Sequence, residues 1–456
     1  MAKQARRKKD RNIKQLNPNA AGIDIGSRRH YVAVPADRDN KPVRNFGCLT
    51  PDLHQMAKWL KSCGIETIAM ESTGVYWVPV VAVLESYGFD VKLVDAYKVK
   101  NVPGRKTDVK DCQWLAELHR FGLLSGAFRP DKQIQVLRSY WRHRSTLVEA
   151  CSKQIHLMQK ALEQMNIQLH KVITDITGLT GMKIIRAIVD GERDAVKLAG
   201  MRHALIKSSA ETIAKALTGE YRQEHLFTLK QAVEIYDVYQ DKIAECDRQT
   251  EEYMKTFEHK ADANDFDPKS GKNNRAKRRK NQPNFDLRTR LLEMTGVDLT
   301  RIDGIETMTA QTVVSECGFD MSVFPTEKNF TSWLGLCPNN QITGGKIRRR
   351  RTRKAQNRTA RALRLAAQSL HSSKSALGAY YRRMRARLGA PKAITATAHK
   401  LAKLVYRMLK HGMNYVDRGQ QYYENQYAER VIKNLTKRAR EMGYAVVCKS
   451  TGELVS

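Results

Sequence analysis

Between residues 20 and 49 the apolar positions come in short runs broken by turns, a β-rich pattern. Residues 21–26 predict a short buried strand, 31–35 a second and 43–49 a third. Residues 51–63 switch to helical spacing, with Leu53, Met56, Ala57 and Leu60 on one face. A strand over 67–70 ending at Glu71, a helix over 75–87, a strand over 89–94 and a helix over 108–121 follow. Three hairpin-like strands and then alternating helices and strands predict a mixed-sheet α/β domain.

Residues 137–260 are mostly helical in pattern. Met158, Leu162, Met165, Leu169, Val172 and Ile176 alternate steps of four and three, which predicts a coiled-coil seam. Leu226, Leu229, Val233, Tyr236, Ile243, Met254 and Phe257 fit a second, less regular one. Residues 269–280 hold seven basic residues and no acid, with Gly and Asn interspersed, and read as a flexible basic insertion. Ile302-Asp303-Gly304-Ile305, followed by a helix over 309–317, reads as a helix-hairpin-helix-like element. Its turn amides either hold a phosphate or make a plain corner. Residues 339–345 read as a polar flexible loop and 346–364 as a dense basic helix. The chain is expected to be helical from 357 almost to 442, with a small hairpin over 444–455. The expected organisation is α/β plus all-α. It comprises a basic disordered arm (1–19), a mixed-sheet domain (20–130), a helical coiled-coil region (131–258), a basic insertion (259–290), a helical domain (291–442) and a hairpin tail (443–456).

Composition narrows the function. The 456 residues carry 80 Lys+Arg against 47 Asp+Glu, a net charge of +33, with 41% hydrophobic residues. A globular chain with that excess calls for a polyanion, and nucleic acid is the first candidate because neutralising phosphates releases counterions. The N-terminal arm adds to it, with seven Lys/Arg and one acid over residues 2–14. No apolar run approaches the roughly 20 residues needed to span a bilayer, and no apolar signal core opens the chain. Eight scattered cysteines without a Cys-x-x-Cys pair indicate neither a zinc site nor a disulfide framework. They read as reduced thiols in a cytosol-type compartment.

Four acids stand out. Asp24 and Glu71 each lie at the end of a predicted strand, where ligands of α/β sheets bind. Asp108 and Asp111 are three apart on a predicted helix and share a face. Four converging carboxylates need cations, and an oxygen-only donor set suits Mg²⁺ or Mn²⁺. Two such ions can clamp the attacking and leaving oxygens of phosphoryl transfer. Taken singly, each acid also fits an N-cap or a solvated helix face. Residues 346–364 hold ten Lys/Arg in nineteen positions and no acid: Lys346, Arg348, Arg349, Arg350, Arg351, Arg353, Lys354, Arg358, Arg361 and Arg364. Ala360, Leu363, Ala366, Ala367 and Leu370 form an opposing apolar stripe, so one face packs and the other meets phosphate. Tyr380 and Tyr381 fit either base stacking or core packing.

Gly22-Ile23-Asp24-Ile25-Gly26, Met70-Glu71-Ser72-Thr73-Gly74-Val75-Tyr76-Trp77 and Arg105-Lys106-Thr107-Asp108-Val109-Lys110-Asp111 resemble the RuvC-like, RNase H-type N-terminal domain of IS110-family transposases. Ile302-Asp303-Gly304-Ile305, Trp333-Leu334-Gly335-Leu336-Cys337-Pro338 and Thr343-Gly344-Gly345-Lys346 resemble that family's C-terminal transposase domain, especially its IS1111 branch. The resemblance covers residues 20–125 and about 295–410. It implies an enzyme that cuts and rejoins donor and target DNA through a hydroxyl-linked protein–DNA intermediate, with Asp24, Glu71, Asp108 and Asp111 as catalytic metal ligands. It also implies a guide RNA from the element itself and a homo-oligomer, dimer or tetramer, in which the acids of one subunit meet the hydroxyl of another. The family's nucleophile is a serine before the Gly-Gly pair, and here Thr343 stands in its place. Three readings stay open: Thr343 is a working substitute, the chain is a weakened or dead copy, or another hydroxyl such as Ser332 acts. A hydrolytic endonuclease of junction-resolvase type and a non-catalytic RNA/DNA scaffold are the alternatives to recombination.

Overall fold

In the computed structural model the described residues are 15–72, 74–94, 108–124, 126–261, 281–352, 357–412, 419–448 and 454. The chain divides into two compact units, Met1–Arg129 and Pro130–Ser456. Most of the expected basic arm, the core of the basic insertion and the tip of the tail hairpin lie outside the described residues. The tail hairpin is represented by one antiparallel bridge, Val447↔Leu454.

The first unit is a five-stranded mixed sheet in the order β3-β2-β1-β4-β5. Its strands are β1 Ala20–Ile25, β2 Arg29–Ala33, β3 Val43–Gly47, β4 Thr67–Glu71 and β5 Asp90–Val94. β1, β2 and β3 form antiparallel neighbours, whereas β1, β4 and β5 run parallel. Helices α1 Thr50–Ser62 and α2 Trp77–Ser86 make the crossovers. Leu53, Met56, Ala57 and Leu60 of α1 are buried, as their spacing predicts. They join Val80 and Leu84 of α2 against Ala21, Ile23, Ile68 and Met70 on one face of the sheet. The opposite face carries α3 Asp108–Arg120. This is the RNase H-like α/β architecture expected from the sequence.

Among its described residues the second unit is helical apart from the hairpin at 338–352 and the Val447↔Leu454 bridge. Its frame is an antiparallel pair of long helices, α4 Lys132–Gln164 and α8 Gln223–Met254. The direction follows from the contacts. The Tyr253 hydroxyl donates to the Gln133 carbonyl at 3.2 Å, and the Gln240 amide donates to Cys151 Sγ at 3.2 Å. Between them, Arg144 and Asp247 form an ion pair with side chains 3% and 2% exposed. Arg144 also donates to the Asn281 carbonyl at 3.0 Å, and Asp247 accepts from the Asn284 amide at 3.1 Å. Asp247→Ala would leave a buried guanidinium without its counter-charge, and a loss of about 3–5 kcal/mol in unfolding free energy is expected. Chemical denaturation monitored by circular dichroism reads this directly. A midpoint equal to wild type would show that the pair does not fasten the two helices.

The seam expected over residues 158–176 is corrected. The long helix stops at Gln164, and Asn166 turns the chain with φ +56°. Met158, Leu162, Met165, Leu169 and Ile176 instead enter one compact cluster with α5 Leu179–Val189, α6 Ala195–Gly200, α7 Ala210–Leu217 and the start of α8. A spacing of three and four fits a broken helical corner as well as a continuous helix. Buried Leu226, Leu229, Val233, Ile243 and Met254 of the second series lie on α8, which packs on α4 of the same chain.

The remaining elements are α9 Leu287–Thr295, α10 Thr307–Cys317, α11 Glu327–Trp333, strands β6 Pro338–Thr343 and β7 Lys346–Thr352, then α12 Arg358–Ser369, α13 Ala376–Leu388, α14 Ala390–His411 and α15 Gly419–Glu441. The Gly304 turn joins the α9 and α10 region with φ +87°. A Cβ at Gly304 would meet the Ala366 carbonyl at 2.8 Å, so the residue lets α12 approach closely and the turn is a packing corner. Among the described residues, no helix is long and apolar enough to cross a membrane.

Candidate active site and nucleic-acid interface

α3 is laid across the sheet by small residues. A Cβ at Gly22 of β1 would collide with the backbone of Cys112 and Ala116, and Ala33, Cys112 and Ala116 form a small buried cluster there. The helix runs against the direction of β1 and β4. At its C-terminal end the Arg120 carbonyl accepts from the amides of Leu16 and Asn17 at 2.9 and 3.0 Å. His119 Nε2 lies 2.9 Å from the hydroxyl of Thr67, the first residue of β4. Its N-terminal turn, with Asp108 and Asp111, therefore points to the edge where β1 and β4 end.

That edge carries the other two acids. The parallel register of β1 and β4 runs from Ala20↔Thr67 to Ile23↔Met70, so Asp24 and Glu71 come next on neighbouring strands. Strand alternation puts Asp24 on the face of Gly22, and Glu71 on the face of Ala69, the register partner of Gly22. Both carboxylates thus leave the sheet on the side covered by α3. Asp24, Glu71 and Asp111 are half-buried; Asp108 is the first residue of α3, and its side chain lies outside the described residues.

Cys112, which sequence reading did not single out, sits among these acids. Burial, aided by the carboxylates of Asp24 and Asp111, pushes its thiol up to about 12. The thiol bonds to the Val109 carbonyl at 3.1 Å. Cys112 is thus a neutral thiol beside these carboxylates. Among the described residues no three acid, His or Cys side chains are already drawn into a metal-ligating cluster. The side chain of Asp108 lies outside that set. The hard oxygen donors fit a divalent ion of the Mg²⁺ or Mn²⁺ kind.

At the far end of α3, burial pushes the His119 imidazole down to about 4, with Lys92 adding to the effect. The unfolded chain takes up this proton near 6.5 and the folded one near 4. Stability is therefore whole above the upper value and is lost as pH falls through the window, reaching about 3 kcal/mol at its lower end. The melting temperature is expected to drop across that window, and His119→Gln to flatten the drop. An equal slope in the variant would assign the acid sensitivity elsewhere.

The second unit corrects the expected loop and basic helix. Residues 338–352 form a β-hairpin, with Thr343 paired to Lys346 across Gly344-Gly345. Both glycines have positive φ, 56° and 74°. This is the two-residue turn whose twist suits a hairpin, and it requires residues that tolerate left-handed backbone. Consecutive arginines also alternate between the faces of a strand, whereas a helix brings like charges at i+3 and i+4 together. Thr343 is exposed at the end of β6, and Lys346 and Arg348 are exposed on β7. Arg349, Arg350 and Arg351 lie on β7, with side chains outside the described residues, as are Arg353 and Lys354 altogether. Helix begins only at Arg358, where the Asn357 side chain caps the Ala360 amide at 3.1 Å. From there the expected amphipathy is present. Ala360, Leu363, Ala366, Ala367 and Leu370 are buried, Arg358 and Arg361 are exposed, and Arg364 is half-buried. Tyr380 and Tyr381 serve packing: Tyr380 meets Tyr423 edge-on at 6.1 Å under Lys400, and Tyr381 is buried.

An RNase H-like sheet with acids at its carboxyl edge, in a chain whose helical unit bears a basic hairpin, fits an enzyme that acts on nucleic acid. Residues 21–167 match a family model described as transposase, of DEDD type and IS110 kind, and residues 297–382 match one described as transposase of the IS116/IS110/IS902 family. The two matched stretches together take in about half of the chain, which belongs to the IS110 family of insertion-sequence transposases. No curated protein matches it. DNA is accordingly its substrate, and the DEDD-type domain implies a divalent metal ion.

Proposed function

We propose that this transposase cuts and rejoins DNA through a covalent link to Thr343, under the guidance of an RNA from its own element. The observation that carries the acidic half of this reading is the antiparallel course of α3. It brings the turn of Asp108 and Asp111 to the edge where Asp24 and Glu71 leave the sheet. Asp24, Glu71, Asp108 and Asp111 would hold Mg²⁺ or Mn²⁺, which supplies charge neutralisation at the scissile phosphate and favours an ionised attacking oxygen.

Thr343 Oγ1 attacks phosphorus. A threonine–phosphate ester forms, one phosphodiester P–O bond breaks, and the departing DNA hydroxyl gains a proton. Attack by a second DNA hydroxyl on that ester restores a phosphodiester and returns the threonine hydroxyl. Bond energy is conserved, so rejoining needs no nucleotide cofactor. The glycine turn supports this role because it leaves Thr343 exposed at the tip of a basic hairpin. Lys346, Arg348, Arg349, Arg350, Arg351, Arg353, Lys354, Arg358, Arg361 and Arg364 hold the phosphate backbone. The active form is a homo-oligomer, dimer or tetramer, in which acids and hydroxyl meet at one phosphate.

The test is a denaturing gel after mixing full-length protein, element RNA, Mg²⁺ and DNA spanning the element junction. A protein–DNA adduct is expected. Clean cleavage without adduct would replace recombination by metal-dependent hydrolysis.

A further inference from the structure

Glu316, near the end of α10, is 8% exposed and surrounded by arginines from two other helices. Arg142 of α4 grips it bidentately, Nε to Oε1 at 2.8 Å and Nη2 to Oε2 at 2.6 Å. Arg138, one turn earlier on α4, lies 3.6 Å from Oε2 and donates to the backbone carbonyls of Ser315 and Glu316 at 3.3 and 2.6 Å. Arg358, the first residue of α12, stands 4.0 Å from Oε1, beyond hydrogen-bond reach.

The four side chains carry three positive charges and one negative. Arg142 spends two of five N–H donors on the carboxylate, and its side chain is still 44% exposed. Arg358 is 51% exposed. A structural ion pair needs one arginine, not three. Arg358 also stands where a helix dipole disfavours a cation, at the N-terminus of α12. The same helix end favours an anion brought beside Arg358.

We infer that Arg142 and Arg358 form a phosphodiester clamp, with Glu316 and Arg138 as positioning residues that aim the guanidinium of Arg142. The clamp extends nucleic-acid contact from the basic hairpin onto the long helix α4. It rests on the proposed action on nucleic acid, and its ligand is the sugar-phosphate backbone rather than a base.

The test measures the affinity of the full-length protein for duplex DNA and, in parallel, for an RNA hairpin, across a salt series. Each direct phosphate contact contributes about 0.9 to the slope of log affinity against log salt on B-DNA and about 0.7 on single strands. The informative variant is Arg142→Gln/Glu316→Gln. It removes one charge of each sign, leaves no buried carboxylate unpaired and keeps the local net charge unchanged. The clamp predicts a slope smaller by about one contact, with the melting temperature retained. Arg358→Gln, which leaves the Arg142 fork intact, is expected to lower the slope by a similar step. A loss on DNA or on RNA tells which strand is held.

Unchanged slopes on both nucleic acids in the double variant, while Arg348→Gln in the hairpin lowers them, would overturn the clamp and leave the nucleic-acid reading standing. Absence of salt-dependent binding by the wild type would overturn both.

Discussion

Asp24→Asn is expected to lower DNA cleavage by about 10³-fold or more while the first unit stays folded. Charge stabilisation by a bound divalent ion is worth several kcal/mol at the transition state, and each 1.36 kcal/mol is a factor of about ten. Asparagine keeps the shape of the half-buried side chain but removes one charge from an edge shared with Glu71 and Asp111. Without metal, the variant should melt at the wild-type temperature or above it, because repulsion has been relieved. With saturating Mg²⁺ or Mn²⁺ the wild type should gain stability, about 2.7 kcal/mol at a hundredfold excess over the dissociation constant. The variant should gain little. Thermal melts with and without metal therefore separate a ligand from a structural carboxylate. Equal metal-induced shifts in both proteins would remove Asp24 from the metal site.

Thr343→Ala should abolish the protein–DNA adduct and reduce strand exchange by about 10⁴-fold or more, the scale on which loss of a covalent nucleophile acts. Stability should change by less than about 0.5 kcal/mol, as for an exposed site outside the core. Thr343→Ser should restore the adduct and exceed the wild-type rate, since serine lacks the methyl that crowds in-line attack. Adduct persisting in Thr343→Ala would keep covalent chemistry but move it to another hydroxyl, with Ser332 first in line. Full cleavage in Thr343→Ala with no adduct in any variant would identify a hydrolytic nuclease.

The first unit was largely legible because its signals are local. Each strand of the sheet was expected within a few residues of its position, and α1 buries the face its spacing predicts. The candidate acids were visible as well, from their places at strand ends and on one helical turn. Cys112 was not, because a lone cysteine in a helix carries no signal until Asp24 and Asp111 are seen to act on it. The misread stretch was 338–352. A run of arginines shows neither a two-residue nor a helical apolar period, so hydrophobic patterning had nothing to report there. The deciding signal was the Gly344-Gly345 pair, a hairpin turn that pairs Thr343 with Lys346.

The sequence by itself determined the charge that demands a polyanion, the α/β then α order, the four acids and the hydroxyl before two glycines. These reside in composition, in local periodicity and in short motifs, all readable over a few neighbouring residues. Only the tertiary structure decided that α3 runs against β1, which places acids distant in sequence at one edge. Likewise it alone closed α4 and α8 over Arg144 and Asp247 and gathered arginines of α4 and α12 around Glu316. Such meetings depend on which helix faces pack. That choice is made by burial of apolar surface summed over whole elements, and no local stretch of sequence contains the sum.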